Sequence, residues 1–278
     1  MIDVLLDALF DTIKLIPYLL ITFIIIEFME HKLSNKNKKI LTKNKKLGPV
    51  IGSFLGGLPQ CGFSAMASNL YSSRIITKGT LIAIFLSTSD EMLPIMISEE
   101  VNTLFLLKLV AFKILVGVII GFIVDIIFKS KNEDINIDDI CEHDNCNCHE
   151  SGIVLSSIKH TIKTALFVLI ANIFIGIIIY FVGEESLKNI ILRNNILAYF
   201  ISSLVGLIPN CASSVIITEL YLSNLISLGT LMAGLLPGSG IGLLLLFKNN
   251  KTIKDSIIIL GIIYLVGVII GLMIDLIL

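Results

Sequence analysis

The sequence is dominated by apolar stretches that are as long as a lipid bilayer is thick. A membrane-spanning helix needs about 20 predominantly apolar residues, and such stretches recur along nearly the whole chain. Because a lipid-exposed backbone must satisfy its own hydrogen bonds, each stretch is interpreted as helix. The sequence therefore predicts an all-α polytopic membrane protein. The stretches lie at 12–29, 47–73, 76–97, 104–128, 156–182, 195–222, 225–247 and 255–277.

Composition and charge exclude several classes of protein. Hydrophobic residues make up 55% of the 278 residues and charged residues 15%, against about 25% charged in ordinary soluble domains. The chain is therefore neither disordered nor typical of a soluble enzyme. A formal net charge of −1 argues against nucleic-acid binding. The sequence has no Walker-type phosphate loop, so transport would use an ion gradient or the membrane potential unless a separate ATPase subunit exists.

The two halves of the chain repeat each other at an offset of 150 residues. Runs of isoleucine, valine and glycine could match by composition alone, whereas Pro-x-Cys and Tyr-x-Ser motifs could not easily do so at one offset. We therefore divide the chain into a first transmembrane repeat (1–128), a linker (129–152) and a second transmembrane repeat (153–278). Matching pairs include Pro59/Pro209, Cys61/Cys211, Ser64/Ser214, Tyr71/Tyr221, Gly79/Gly229, Ser89/Ser239, Gly117/Gly267, Gly121/Gly271 and Asp125/Asp275.

Lysine positions indicate how the repeats lie in the membrane. Residues 31–46 contain seven lysines, which places this loop in the cytoplasm by the positive-inside rule. The equivalent loop at 183–194 has no such cluster, whereas lysines flank the linker at 129–152. We expect a multi-pass protein of the plasma (inner) membrane with both termini outside and the linker in the cytoplasm. Matching loops then lie on opposite sides, so the repeat is predicted to be inverted, as in many secondary transporters.

An inverted repeat requires an odd number of crossings in each half, yet each half has four apolar stretches. One stretch must therefore be split, broken or re-entrant. The best candidate is 47–73, because Gly57 and Pro59 interrupt it and proline removes a helical hydrogen bond. Its counterpart has Gly206 and Pro209 at equivalent places. This recurrence favours a paired substrate-site element over a simple kink.

The two Pro-x-Cys elements form the first candidate site. A broken helix frees backbone groups at membrane depth, and cysteine is a soft ligand suited to thiophilic metals and trivalent metalloids. A lone buried cysteine is usually a packing residue. Two cysteines, each placed two residues after a helix-breaking proline, favour function. The predicted substrate-binding residues are Gln60, Cys61, Ser64, Asn210, Cys211 and Ser214.

Two adjacent acids, Asp90 and Glu91, stand in an otherwise apolar stretch. Each costs about 2.5 kcal/mol or more at the centre of a membrane helix, so such groups usually face a cavity and bind cations or relay protons. An early helix end in the headgroup region is the alternative, but residues 92–97 are apolar again. The counterpart at 237–240 breaks the helix without charge, which predicts an asymmetric site. The predicted coupling residues are Ser87, Ser89, Asp90, Glu91 and Glu219.

Two lysines and two glycine pairs also fall in the apolar stretches. Lys108 is expected to snorkel to an interface, and Lys113 to pair with a carboxylate such as Asp90. The G-x-x-x-G pairs, at 117/121 and 267/271, are expected to permit close helix packing.

The linker collects three cysteines and two histidines within nine residues. Four such side chains suffice for a tetrahedral, zinc-like site, and a cytoplasmic location keeps thiols reduced. The spacing matches no standard zinc finger, which suggests an exchangeable sensor or feeder, with a passive acidic loop as the alternative. No other cofactor is expected. The predicted metal ligands are Cys141, His143, Cys146, Cys148 and His149.

Three of these motifs, at 57–64, at 87–91 with Pro94, and at 206–211, resemble those of the ten-transmembrane heavy-metal exporter family. Its members are described variously as arsenic efflux proteins or manganese transporters, and it is distantly related to the organoarsenical permeases. The resemblance covers nearly the whole chain and implies two halves of about five helices and export of a metal or metalloid. The second half has Gly240 where an acidic or amide-rich stretch is commoner, so the resemblance implies no symmetric two-carboxylate site.

The leading hypothesis is a secondary exporter, not an enzyme, for a heavy-metal ion or an arsenical. Its partners would be the substrate and the lipid bilayer, with homo-oligomerisation left open. Oxygen ligands would instead suit manganese or another divalent cation. An organic-solute permease with a passive linker is a third hypothesis. An intramembrane enzyme using Asp90 or Cys61 is disfavoured. The stretches that hold these residues, 47–73 and 76–97, and their counterparts, 195–222 and 225–247, contain no histidine to act as a base.

Overall fold

The computed structural model describes residues 47–58, 61–89, 92–128, 153–182, 196–250 and 252–277, with scattered helical positions between 6 and 24. This part of the chain is 84% helical and has no strand, which confirms the predicted all-α polytopic class. The helices are α1 (Gly48–Gly56), α2 (Cys61–Ser72), α3 (Lys78–Ser87), α4 (Met92–Ser98), α5 (Thr103–Ile127), α6 (Ile153–Val182), α7 (Leu197–Gly206), α8 (Cys211–Leu222), α9 (Leu228–Leu235), α10 (Ile241–Asn249) and α11 (Ile253–Ile277).

Four stretches of the described chain are long and apolar enough to cross a bilayer. Three are continuous helices, namely Thr103–Ile127, Ser157–Phe174 and Ile253–Ile277. The fourth, Lys78–Ser98, is divided into α3 and α4. Large apolar side chains such as Ile126 are exposed on these helices, as expected of surfaces that face lipid.

The apolar stretch 47–73 folds into two half-helices, α1 and α2, which have 9 and 12 residues. α1 lies beside α3 in the same direction, because Gly48 faces Thr80 and Gly56 faces Ser87. The chain must therefore run back along α2 to reach the start of α3. At about 14 and 18 Å, neither half-helix spans the ~30 Å hydrocarbon core. This geometry is that of a re-entrant hairpin.

The stretch 76–97 is interrupted as well, so each half has two broken stretches where the crossing count required one. α3 ends at Ser87 and α4 begins at Met92. In the second half, α9 ends at Leu235 and α10 begins at Ile241. Gly240, just before α10, has φ 50°, a left-handed conformation that glycine adopts without a steric penalty.

Equivalent helices make equivalent contacts within the two halves. α3 packs on α1 and α5, and α9 packs on α7 and α11. A Cβ atom at Gly79 would lie 2.1 Å from the carbonyl oxygen of Gly121, and one at Gly229 would lie 2.2 Å from that of Gly271. The G-x-x-x-G pairs therefore permit close helix packing, as predicted.

The halves meet through α2 with α10 and through α4 with α8. Ser68 Oγ donates to the Gly242 carbonyl at 2.6 Å and Asn249 Nδ2 donates to Asn69 Oδ1 at 2.7 Å, so α2 and α10 run parallel. α10 continues the direction of α9, because Gly229 at the start of α9 lies against the end of α11 and Asn250 after α10 donates to Ser256 at the start of α11. α2, in contrast, runs antiparallel to α3. The equivalent helices α3 and α9 therefore run in opposite directions. An inverted repeat requires these directions. The inversion across the membrane and the boundaries at 128 and 153 stay predictions.

Candidate functional site

Interrupted helices from both halves end around a small polar cavity. About 20 Å³ of it is open to water, which is enough for about one molecule. The ends of α3 and α9 and the starts of α4, α8 and α10 all lie here. The lining residues are Thr88, Ser89, Met92 and Lys113 from the first half and Asn210, Ser213, Ser214, Leu235, Gly238 and Gly240 from the second.

Lys113 is the buried cation of this polar cavity, with 1% of its surface exposed. It stands on α5, and its Nζ donates to the carbonyl oxygen of Thr88 and, at 2.9 Å, to that of Leu235. Thr88 directly follows α3, and Leu235 is the last residue of α9. A helix C-terminus carries partial negative charge and unsatisfied carbonyls. Lys113 therefore bridges the negative ends of two half-helices from opposite halves.

The sequence analysis predicted that Lys113 pairs with a carboxylate such as Asp90, which lies outside the described residues. The repeat offered no signal, because the position equivalent to Lys113 holds Ile263. The sequence signal that could have identified Lys113 was its position deep within a membrane-spanning stretch. Lys113 stands ten residues after the start of α5 at Thr103, too far for a lysine side chain to reach the interface.

The start of α8 supplies the amide and hydroxyl groups of the cavity. Asn210 caps this helix, since its Oδ1 accepts from the Ala212 backbone N–H at 2.9 Å. Ser213 Oγ donates to the Asn210 carbonyl oxygen at 2.8 Å. Helix N-termini favour anionic or electron-rich groups. The cavity thus combines a fixed ammonium group with hydroxyls, an amide and a helix N-terminus.

Two of the six predicted substrate-binding residues, Asn210 and Ser214, line the polar cavity. Ser64, the equivalent of Ser214, is fully buried and lies against Gly242 instead. Phe85 also packs on Gly242, whose Cβ would lie 2.9 Å from the phenyl ring. The equivalent position in the other half is thus filled, and the cavity is asymmetric.

Only the backbone positions of the two predicted thiol ligands are described, and they lie at helix starts near the polar cavity. Cys61 and Cys211 are the first residues of α2 and α8. Cys211 lies between Asn210 and Ser213, both of which line the cavity. Nothing is described of either thiol side chain, and Gln60 lies outside the described residues.

The predicted coupling residues divide between several environments. Ser89 lines the polar cavity. Ser87 is buried, and its Oγ donates within α3 to the Ala83 carbonyl at 2.9 Å. Glu219 is exposed on α8. Ser89 is thus the described coupling residue that borders the cavity.

Asp90 and Glu91 lie outside the described residues. Their neighbours on both sides, Ser89 and Met92, line the polar cavity. Their role in coupling therefore stays a prediction.

A matched pair of carboxylates fixes the starts of α3 and α9, a role that sequence reasoning missed. Asp125 accepts from the Gly79 N–H and from Thr77 Oγ1, each at 2.8 Å. Asp275 accepts from the Gly229 N–H at the same distance. The sequence signal was the pairing of both aspartates with a Gly-Thr-Leu helix start. These acids position the half-helices and lie away from the polar cavity.

The predicted metal ligands of the linker, at 141–149, lie outside the described residues. Within the described ranges, no group of three or more His, Cys, Asp or Glu side chains could hold a metal ion. The linker site therefore stays a prediction.

A family model described as "Putative, 10TM heavy-metal exporter" matches residues 1–184 and, in a second segment, residues 172–278. Together the two segments cover the whole chain. The chain belongs to this family. The resemblance found in the sequence is therefore confirmed. No curated protein and no solved structure matches the chain.

Membership of the heavy-metal exporter family agrees with the apolar helices described above. It makes the protein a multi-pass membrane transporter in contact with a lipid bilayer. In the polar cavity between the halves, interrupted helices and polar groups from both halves of this exporter-family fold converge.

Proposed function

We propose that the protein is a secondary exporter of a soft metal ion or a trivalent arsenical across the plasma membrane, and that it performs no catalysis. The observation that carries the proposal is the convergence of interrupted helices from both halves on one polar cavity. Secondary transporters hold their substrates between two repeats at such helix breaks. Family membership supports the class of transporter and of substrate.

The depth of the polar cavity supports this role. Lys113 stands ten residues, or about 15 Å, from the start of α5. The hydrocarbon core is about 30 Å thick, so this depth is near its midplane. Rocking of the two halves about a midplane site would expose it alternately to either side.

The thiols of Cys61 and Cys211 are the proposed soft ligands, with Gln60, Ser64, Asn210 and Ser214 beside them. Thiolate sulfur suits soft metals and trivalent arsenic. A hydroxylated trivalent arsenical is uncharged near neutral pH, so the Lys113 ammonium does not repel it. Its oxygens can accept hydrogen bonds from that ammonium group.

Asp90 and Glu91 are the proposed coupling groups. Their neighbours Ser89 and Met92 border the polar cavity. Buried membrane carboxylates commonly relay protons in transporters. We assign to them an inward proton movement that drives export, and to Ser87, Ser89 and Glu219 a supporting role.

A harder divalent cation such as manganese is the second candidate substrate. All uncharged polar side chains that line the cavity offer oxygen atoms, which such ions prefer. The Lys113 ammonium opposes a divalent cation, so Asp90 and Glu91 would have to supply the compensating charge. These oxygen donors are Thr88, Ser89, Asn210, Ser213 and Ser214.

The test measures arsenite and manganese transport by the purified full-length protein in proteoliposomes. The double variant Cys61→Ser with Cys211→Ser should slow arsenite transport about tenfold or more, because losing even a residue that only supports a metal ligand costs about 10–100-fold in affinity or activity. Manganese transport should stay unchanged. Undiminished arsenite transport in the double variant would remove the thiol site.

The matched control changes the three linker cysteines, Cys141, Cys146 and Cys148, to serine. This variant loses thiols of the same kind away from the helix breaks. It should keep the maximal transport rate and require a higher substrate concentration, because the linker only captures or senses substrate. Manganese transport without any arsenite transport by the unmodified protein would favour the second candidate.

A further inference from the structure

A second, mainly apolar cavity of about 360 Å³ lies between the two halves. The start of α5 forms one wall, and α9 and α11 form the other. Its volume is in the range of ordinary ligand sites. Phe105, Phe112, Leu228 and Met232 are among its lining residues, and Lys108 is the charged one. We call it the lateral cavity.

The lateral cavity occupies the depth of one bilayer leaflet. Lys108 and Phe112 stand five and nine residues after the start of α5 at Thr103, or about 8 and 14 Å along the helix. Half of the hydrocarbon core is about 15 Å thick. The opposite wall includes Ile277, the last residue of α11. The cavity therefore extends from a membrane surface almost to the midplane, which is the space that one acyl chain fills.

Lys108 lies between Phe105 and Phe112 along the α5 wall of this cavity and is exposed. Among the described residues it has no ion pair or hydrogen bond. From about 8 Å along α5, a lysine side chain can extend its ammonium group to the level of the lipid headgroups. A negatively charged headgroup is the complement of this single positive charge.

The equivalent place in the other half holds an ion pair. The equivalents of Leu228 and Phe105 are Lys78 and Asp255, which form an ion pair between α3 and α11. The Lys78 ammonium also lies 4.4 Å from the centre of the Phe128 ring. The same fold therefore places a charged pair in one half where the lateral cavity has two apolar side chains in the other.

We propose that the lateral cavity binds one anionic phospholipid, with the headgroup phosphate on Lys108 and an acyl chain along α5, α9 and α11. The lipid takes the place between the halves that the Lys78–Asp255 pair takes at the other end. This site is separate from the polar cavity, and it stands whether or not the proposed substrate is correct.

The experiment is native mass spectrometry of the full-length protein in detergent. The probes are dioleoylphosphatidylglycerol and dioleoylphosphatidylcholine, which have the same acyl chains and differ in headgroup charge. The unmodified protein should bind its first phosphatidylglycerol about fivefold more tightly than phosphatidylcholine, as expected for one lysine contact. Lys108→Gln should abolish this preference. Lys159→Gln, which removes an exposed lysine on α6, should preserve it.

A second variant tests the acyl-chain part of the cavity. Leu228→Trp should weaken binding of both lipids because the larger side chain occupies the cavity. Equal binding of the two lipids by the unmodified protein would overturn the proposal, as would an intact preference in Lys108→Gln. A lipid-free dimer that Leu228→Trp converts to a monomer would show instead that a second copy of the chain covers this surface.

Discussion

Contacts inside each half and contacts between the halves differ in how far the two copies agree. Inside the halves, a Cβ atom at Gly79 or Gly229 would lie 2.1 or 2.2 Å from a carbonyl oxygen of the adjacent helix, and each helix start is held by an aspartate at 2.8 Å. Between the halves, equivalent positions carry different side chains, since the charged Lys78 and Asp255 correspond to the apolar Leu228 and Phe105. Both copies thus keep one scaffold, while the surfaces that join them have diverged.

The divergence gives the two ends of the interface different contacts. At one end, Asp255 pairs with Lys78, accepts from Tyr71 Oη, and lies 3.3 Å from Asn250 Nδ2; we call these four residues the polar clasp. At the other end, the equivalents of Tyr71 and Asp255 are Tyr221 and Phe105, whose rings stack 6.3 Å apart. The proposed rocking of the two halves would open the two ends in turn, and these contacts are charged at one end and aromatic at the other.

The largest effect is expected where the two copies agree. Gly79→Ala and Gly229→Ala each place a methyl group against a backbone carbonyl that cannot rotate away. Each variant should lose about 3 kcal/mol of unfolding free energy. Thermal unfolding of the purified proteins in detergent would measure both losses, which should be similar.

Gly261→Ala is the control for this pair, because a Cβ atom there meets nothing within 4 Å. It should change stability by at most about 1 kcal/mol, in the stabilising direction, since alanine is the better helix former. A large loss at Gly79 with none at Gly229 would show that the copies have different scaffolds after all.

The next effect concerns the polar clasp. Asp255→Asn removes the charge from a half-buried group that has three polar neighbours, and hydrogen bonds to charged groups contribute about 1.5–3 kcal/mol. A double-mutant cycle with Lys78→Met, followed by thermal unfolding, should give a coupling energy within this range.

Lys254→Gln is the matched control for the clasp, as it changes the charge of an exposed neighbour on the same helix. It should leave stability within about 0.5 kcal/mol. Strictly additive losses for Asp255→Asn and Lys78→Met would mean that the ion pair does not hold this end closed.

Sequence reasoning succeeded where a local pattern decides the structure. Apolar length predicted the spans, Gly57 and Pro59 located a helix break, and the G-x-x-x-G spacing identified close packing. It could not distinguish a kink from a re-entrant hairpin, because that depends on α1 packing beside α3 in the same direction. The fold has two interrupted stretches in each half, whereas the number of membrane crossings in an inverted repeat required only one.

Two lysines of one helix show why the site was harder to predict than the fold. Lys108 and Lys113 are five residues apart on α5, yet one is exposed and the other is 1% exposed. Which of them is buried depends on Thr88 and Leu235, and Leu235 is 122 residues away in the sequence. Periodicity within α5 contains no information about that partner.

The smallest effect is expected at the aromatic end. Phe105→Leu keeps an apolar side chain and removes the stacking with Tyr221, which contributes about 0.5–1.5 kcal/mol beyond burial. A cycle of Phe105→Leu with Tyr221→Leu should give a coupling energy below that of the clasp, and Phe54→Leu, at a 64% exposed phenylalanine on α1, is the control. Equal coupling energies at both ends would mean that the halves are held equally at each membrane surface. A weaker aromatic end would instead make it the end that opens first, since less free energy separates its closed and open states.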